Sequence, residues 1–313
     1  MTPAAEVARV AALLRLRVET PCGAGTMPWR IWDTDDKAPK PTLVLMHGGS
    51  GSWTHWLRNI EFFEQRYRVL VPDLPGLGDA AELSAPYTAQ QAAAIVNDGL
   101  DVALRSGAAV PVASSSASDS EHRDKPQVPR SEAAPARFHL AAFSWGCTIA
   151  GQIAALRGQQ IRSLSLIGPA AIGPFPLGKM QPLKKRWRGI TDAELRDVSR
   201  HNLQQLMLHD PAKIDDLAIH LQIENTNRTR FHSPQFARSE ILVEALARTT
   251  VPLSVIYGEY DGPIHPHVED RRQRLRKARP DLEFHMVPNV GHWAQFEWEG
   301  YNGYLQDWLA RHA

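Results

Sequence analysis

The sequence has only two cysteines, Cys22 and Cys147, in 313 residues. Two thiols so far apart make no disulfide framework, which excludes a small stapled scaffold. No apolar run approaches the ~20 residues that a membrane-spanning helix needs. The stretch from Met1 to Leu14 is interrupted by Glu6 and Arg9 and lacks the plan of a signal peptide, so a cytoplasmic protein is expected. Net charge is nearly absent: 35 Lys and Arg against 34 Asp and Glu leave +1. The whole-chain field therefore favours neither nucleic acid nor a membrane as a partner. Also missing are H-E-x-x-H, G-x-x-x-x-G-K-[ST], and a G-x-G-x-x-G after a strand. No metal and no nucleotide or other cofactor is expected.

What is present is alternation. Apolar, β-branched runs at Thr42–Met46, Arg68–Val71, Phe138–Phe143, Ile161–Ile167, Pro252–Tyr257 and Leu282–Val287 predict strands. Between or after them, Thr54–Gln65, Thr88–Arg105, Trp145–Leu156 and Tyr301–His312 have helical patterns. Strands separated by helices imply a mostly parallel, doubly wound α/β sheet covered on both faces. Leu14–Glu19 and Trp29–Trp32 fit an antiparallel pair at its edge.

Two segments break the alternation. Gly107–Pro135 has no aromatic residue and is rich in Ser, Ala and Pro, and reads as a disordered insertion. Residues 172–248 hold helix signals instead of strands: a capping box at Thr191-Asp192-Ala193-Glu194, an N-cap with Pro at Asp210-Pro211, and a helical stretch Ser233–Arg248. These helices follow the carboxyl end of a strand, where open α/β sheets bind ligands, so they predict a lid. The expected organisation is a core of residues 1–171 and 249–313 with a helical lid at 172–248.

The chemistry centres on Ala142-Phe143-Ser144-Trp145-Gly146, between a strand and a helix. A nucleophilic serine needs a sharp turn that exposes its oxygen, and small residues two before and two after it permit that turn. The pattern is G-x-S-x-G with Ala142 in place of the first glycine. A serine hydroxyl needs a base, and the base an orienting acid. His292, in Gly291-His292-Trp293 after the last strand, is the expected base; His285, inside that strand, is its rival. Asp261, in Gly258-Glu259-Tyr260-Asp261, is the expected acid, with Glu259 as runner-up. The Gly-rich turn His47-Gly48-Gly49-Ser50-Gly51 and the residue after the nucleophile supply oxyanion donors, expected at the backbone N–H groups of Gly49 and Trp145. Gly48, Phe143 and Trp293 are expected in the substrate pocket.

These motifs, together with Asp73-Leu74-Pro75-Gly76-Leu77-Gly78, resemble the α/β-hydrolase superfamily in order and spacing over nearly the whole chain. The resemblance implies an α/β-hydrolase fold with an inserted helical lid and a Ser-Asp-His triad in that order. Gly291-His292-Trp293-Ala294-Gln295-Phe296-Glu297 and the segment Trp56 to Asn59 are similar to the meta-cleavage-product hydrolases, which cut a C–C bond in ring-fission products. That family commonly has Asn before its nucleophile, where this chain has Phe143. Its lid arginine has no secure counterpart here; a rough alignment puts His220 in its place, with Arg228 and Arg230 nearby. The elbow also resembles the D-W-G of haloalkane dehalogenases and epoxide hydrolases, but their chemistry needs a carboxylate nucleophile, which Ser144 does not supply.

The leading expectation is a serine hydrolase acting on a small, largely apolar carboxylic ester through an acyl-enzyme. The alternative is C–C hydrolysis of 2-hydroxy-6-oxo-dienoates. A non-catalytic small-ligand receptor on the same scaffold is the third reading, since fold alone does not fix function. The partner is then a small molecule, with homo-oligomerisation left open.

Overall fold

A computed structural model describes residues 1–34, 39–106, 137–176 and 178–313. The insertion expected at Gly107–Pro135 lies outside the described residues. Eight strands form one sheet: β1 (Leu16–Cys22), β2 (Gly25–Trp32), β3 (Thr42–Met46), β4 (Arg68–Pro72), β5 (Phe138–Phe143), β6 (Ile161–Ile167), β7 (Leu253–Gly258) and β8 (Glu283–Val287). Their order is β1-β2-β4-β3-β5-β6-β7-β8. β1 and β2 run antiparallel to each other, as does β2 to β4, and the remaining pairs are parallel. The central strands β3, β4, β5 and β7 are buried along their whole length, as their unbroken apolar runs require.

Helices cover both faces. α3 (Ala89–Arg105), α4 (Trp145–Arg157) and α8 (Val268–Ala278) pack with Val44, Leu70 and Leu140 in one core. α1 (Pro3–Ala12), α2 (Leu57–Phe63) and α10 (Tyr301–Arg311) pack with Leu43, Val69 and Ala141 in the other. Between β6 and β7 lie α5 (Asp192–Leu206), α6 (Asp216–Asn227) and α7 (Ile241–Leu246), and a short α9 (Ala294–Glu297) follows β8. After β3 the chain moves to β4 on one side and then returns to β5 on the other. The carboxyl ends of β3 and β5 thus flank the switch point, where such sheets bind ligands.

Local chemistry set the helix boundaries differently from expectation at two places. The Thr191 capping box forms as predicted, with Thr191 N–H donating to Glu194 Oε2 at 2.9 Å and Glu194 N–H to Thr191 Oγ1 at 3.3 Å. Asp210-Pro211 opens only a 3-10 turn, because Ile214 leaves the helical region and Asp215 caps α6 instead, accepting from Ala218 N–H at 2.8 Å. The stretch Ser233–Arg248 splits into a 3-10 turn at Ser233–Phe236 and α7, with a non-helical Glu240 between. α1 and α8 carry no apolar pattern that announces them: α1 has one buried residue, Val10, and α8 is mostly charged.

One buried group in the sheet gives a pH prediction. His139 of β5 places Nδ1 2.8 Å from Ser163 Oγ, and burial pushes its pKa down to about 4. A histidine held neutral stabilises the fold above its unfolded pKa near 6.5, and that contribution is lost as pH falls toward the folded value. The difference corresponds to about 3 kcal/mol. Denaturant titrations at neutral and acid pH should show the wild type losing about that much more stability than His139→Gln between about pH 7 and pH 4. Parallel pH curves for the two proteins would remove His139 from the account.

Candidate active site

Ser144 sits on the turn between β5 and α4 with φ at +50°, a left-handed conformation that costs energy in a residue with a Cβ. Its N–H donates to Ile167 O at 2.8 Å, tying the turn to β6. Gly146 is obligatory there, since a Cβ would lie 2.5 Å from His47 O. Ala142 is fully buried and accommodated within β5, so the missing first glycine does not prevent the turn.

The structure brings Ser144, His292 and Asp261 together. His292 Nδ1 lies 2.7 Å from Asp261 Oδ2, and Nε2 lies 2.9 Å from Ser144 Oγ. The carboxylate only accepts, so Nδ1 carries a proton and Nε2 is left to accept from the hydroxyl. Asp261 is fully buried and His292 nearly so. Gly168, at the end of β6, makes this pair fit: its φ is +53°, and a Cβ would come within 2.7 Å of His292 Nδ1. The alternatives lie elsewhere. Glu259 accepts from Asn289 N–H at 3.1 Å in a surface turn, and His285 stacks on Trp298 at 5.2 Å within β8.

The Gly-rich loop after β3 is held by two histidines that the sequence had not singled out for this role. His47 Nδ1 donates to Gly48 O at 2.7 Å while Nε2 accepts from Leu74 N–H at 2.8 Å. His55 Nδ1 accepts from Gly48 N–H at 3.3 Å. Both imidazoles are fully enclosed and burial lowers their pKa, His55 most of all, so both rings hold the loop as neutral groups. Gly49 lies beside Trp145, since a Cβ on Gly49 would stand 3.8 Å from the Trp145 Cβ. Trp145 is the first residue of α4, where backbone N–H groups lack intrahelical acceptors.

Above Ser144 opens a cavity of about 370 Å³. Trp145, Tyr257, Asp261 and His292 line it together with Ile172, Phe175, Leu206 and Phe236, all four from the segment between β6 and β7. Gly48, Phe143 and Trp293, expected in the pocket, are not among its lining residues. Phe143 stands 4.9 Å from the His292 ring, Gly48 packs against Phe143, and the Trp293 indole N–H donates to His55 O at 3.0 Å. The rough lid alignment also fails to reach the cavity. Arg228 pairs with Asp79 at 3.2 Å, Arg230 donates to Gly78 O at 3.0 Å, and His220 does not line the pocket. The arginines that do line it are Arg238 and Arg271. Arg271 comes from α8, is buried, and donates to Pro176 O at 2.9 Å.

Glu297 closes the site from behind. Oε1 accepts from His209 N–H at 2.8 Å and Asp210 N–H at 2.6 Å, and Oε2 accepts from Gly291 N–H at 2.6 Å. Burial raises its pKa against the lowering pull of those three donors. One carboxylate thereby joins the loop that carries His292 to the segment after α5.

A hydroxyl, an imidazole and a buried carboxylate in one hydrogen-bonded line at a strand-to-helix turn, on this strand order, mark a protein family. Residues 43–303 match the sequence profile described as the Alpha/beta hydrolase family. The chain belongs to that family. It is similar to a 2-hydroxy-6-oxononadienedioate/2-hydroxy-6-oxononatrienedioate hydrolase of Paraburkholderia phymatum, 25% identical over 90% of this chain and 91% of that one. A carboxylesterase from Bacillus subtilis shares the fold with a TM-score of 0.67 at 16% identity, covering 99% of this chain and 98% of that one. A meta-cleavage product hydrolase from Pseudomonas fluorescens does so with a TM-score of 0.65 at 16% identity, covering 96% and 100%. This alpha/beta hydrolase is an enzyme, and the resemblance read from Gly291–Glu297 extends to curated relatives along most of the chain. Among its described residues, no helix is long and apolar enough to cross a membrane.

Proposed function

We propose that the chain hydrolyses small, largely apolar carboxylic esters, with Ser144 as nucleophile, His292 as general base and acid, and Asp261 as the group that orients the imidazole. The observation that carries this is the hydrogen-bonded line Ser144–His292–Asp261 at the floor of an apolar cavity. His292 Nε2 takes the proton as Ser144 Oγ attacks the ester carbonyl. The tetrahedral oxyanion is met by the backbone N–H groups of Gly49 and Trp145. His292 then returns the proton to the leaving alcohol and activates the water that hydrolyses the acyl-enzyme. Residues 172–248 act as the lid that supplies the apolar roof and excludes water from the acyl group.

A second reading is C–C hydrolysis of a dienoate, favoured by the curated relatives, which include meta-cleavage hydrolases. What argues for the ester is the apolar lining of the cavity beside Ser144, with Ile172, Phe175, Leu206 and Phe236 among its residues. Of the two arginines that line it, Arg271 already donates to His267 O at 3.3 Å and to Pro176 O at 2.9 Å, which leaves Arg238 as the cation for a dienoate carboxylate. Parallel assays with p-nitrophenyl butyrate and a 2-hydroxy-6-oxo-dienoate decide between them. Turnover of the ester with kcat/KM exceeding that of the dienoate is expected. A preference for the dienoate by orders of magnitude would reverse the ranking.

A further inference from the structure

The chain from Gly178 to Ile190 is an extended strap that borders the cavity and has no part in bond cleavage. It is fastened along α5: Gln181 N–H donates to Gln205 Oε1 at 2.8 Å, Lys184 N–H donates to Asn202 Oδ1 at 2.9 Å, and Asn202 Nδ2 returns a bond to Lys184 O at 3.0 Å. Its inner side gives Met180 and Leu183 to the cavity lining. It carries the exposed Lys179, Lys184, Lys185 and Arg188 and the half-buried Arg186, and no acidic residue occurs between Gly168 and Thr191.

Among the described residues, none of these five cations has a carboxylate oxygen within 4.0 Å; Arg186 bonds to Asn227 Oδ1 at 2.6 Å instead. Glu194 and Asp197 of α5 border the same shallow depression as Lys184 and Lys185, but Glu194 is turned onto Thr191 by its capping box. Interleaved with the cations are Leu183 and Trp187, 43% and 52% exposed. Single exposed apolar residues are ordinary on a protein surface. Here a tryptophan and a leucine sit among unpaired cations, and the leucine continues into an apolar cavity.

We infer that this strap docks the protein on an anionic phospholipid surface, with the cavity mouth against the lipid. A bilayer interface offers both things the strap asks for: diffuse negative charge for the Lys and Arg side chains, and an apolar layer at headgroup depth for the indole. The depression beside Lys184 and Lys185 is shared with Glu194 and Asp197, which disfavours an acidic side chain of a protein partner there. Leu183 makes the docked face continuous with the cavity, so an apolar substrate dissolved in lipid reaches Ser144 without crossing water. The whole-chain charge of +1 hides this, because it averages the cluster over the molecule. Docking is independent of which bond the enzyme cleaves.

Flotation of the full chain with vesicles of phosphatidylcholine alone, and of equimolar phosphatidylcholine and phosphatidylglycerol, tests it. The protein should float with the mixed vesicles, stay behind with phosphatidylcholine alone, and come off in high salt. Each cation near an anionic surface is worth roughly fivefold in partitioning, so Lys184→Gln/Lys185→Gln/Arg188→Gln should lower the partition coefficient by about 100-fold. Trp187→Ala should weaken binding with the charge unchanged. Both variants should turn over a soluble ester at the wild-type rate, which shows that they are folded. Absence of binding to the mixed vesicles, equal binding to both compositions, or a triple variant that binds as the wild type does would each overturn the inference. So would a dimer seen in sizing columns, abolished by Trp187→Ala and unaccompanied by vesicle binding, which assigns the strap to a second copy of the chain.

Discussion

Ser144→Ala is expected to lower kcat for ester hydrolysis by about 10⁴–10⁶-fold while leaving the fold and the affinity for an apolar product analogue unchanged. The change removes one atom, Oγ, from the 2.9 Å contact with His292 Nε2. It keeps the Cβ, so the positive φ at position 144 and its packing stay as they are. The cavity keeps its other lining residues. What is lost is the covalent route: without a nucleophile, His292 can only activate water directly. The residual rate comes from the oxyanion donors and from binding, which together sustain roughly 10³–10⁴-fold over water in other serine hydrolases. A stopped-flow burst of p-nitrophenol from the wild type and its absence in the variant would show that the acyl-enzyme is the step removed. Loss of labelling by a fluorophosphonate probe gives the same answer without turnover. Turnover within an order of magnitude of the wild type would falsify the nucleophile assignment.

Much of this arrangement was legible from the chain because each part obeys a local rule. The strands were readable because a buried parallel strand must be apolar on both faces, as Leu43, Val44 and Leu45 are. Ser144 was readable because the turn tolerates only small neighbours at positions 142 and 146. Asp261 and His292 were readable because each follows a strand end, and strand ends on one side of the sheet converge. What was not legible depends on contacts between distant segments. His55 lies in an unremarkable Trp-Thr-His-Trp run, and its role appears only when Gly48 and Trp293 are packed against it. Phe143 and Trp293 looked like pocket walls because aromatic neighbours of a nucleophile often are. Both instead pack against the His55 ring, and Phe143 also against His292. Arg271 was hidden in a charged helix with no apolar stripe to announce which face met the cavity. Gly168 did carry a signal, a glycine directly after a buried strand. Its φ of +53° and its closeness to His292 explain why a side chain is not tolerated there.

Glu297 leads to the second large effect. Its carboxylate accepts backbone N–H groups from His209, Asp210 and Gly291, so it holds the His292 loop and the end of the α5 segment in one geometry. A second bond, Trp293 N–H to Met207 O at 2.8 Å, runs beside it. Removing the side chain leaves the buried Gly291 N–H and the half-buried His209 and Asp210 N–H groups without their acceptor, and a buried unsatisfied donor costs about 1–3 kcal/mol while water reaches the half-buried ones. Glu297→Ala is therefore expected to lose about 3 kcal/mol of stability in denaturant titrations. Glu297→Gln separates holding from folding. Its amide has one acceptor oxygen and one NH₂ group, so it satisfies either Gly291 or the His209–Asp210 pair, and turns a donor toward the other. The loop carrying His292 then shifts against Ser144, and a displacement of about 1 Å at reacting groups costs roughly 10²-fold in rate. The expected signature is a kcat lowered by about that factor with KM nearly unchanged, because Glu297 does not line the cavity. Glu297→Asp, which keeps both acceptor oxygens on a shorter stem, should recover part of kcat. If KM rises while kcat holds, Glu297 acts on the lid side of the cavity instead of on His292.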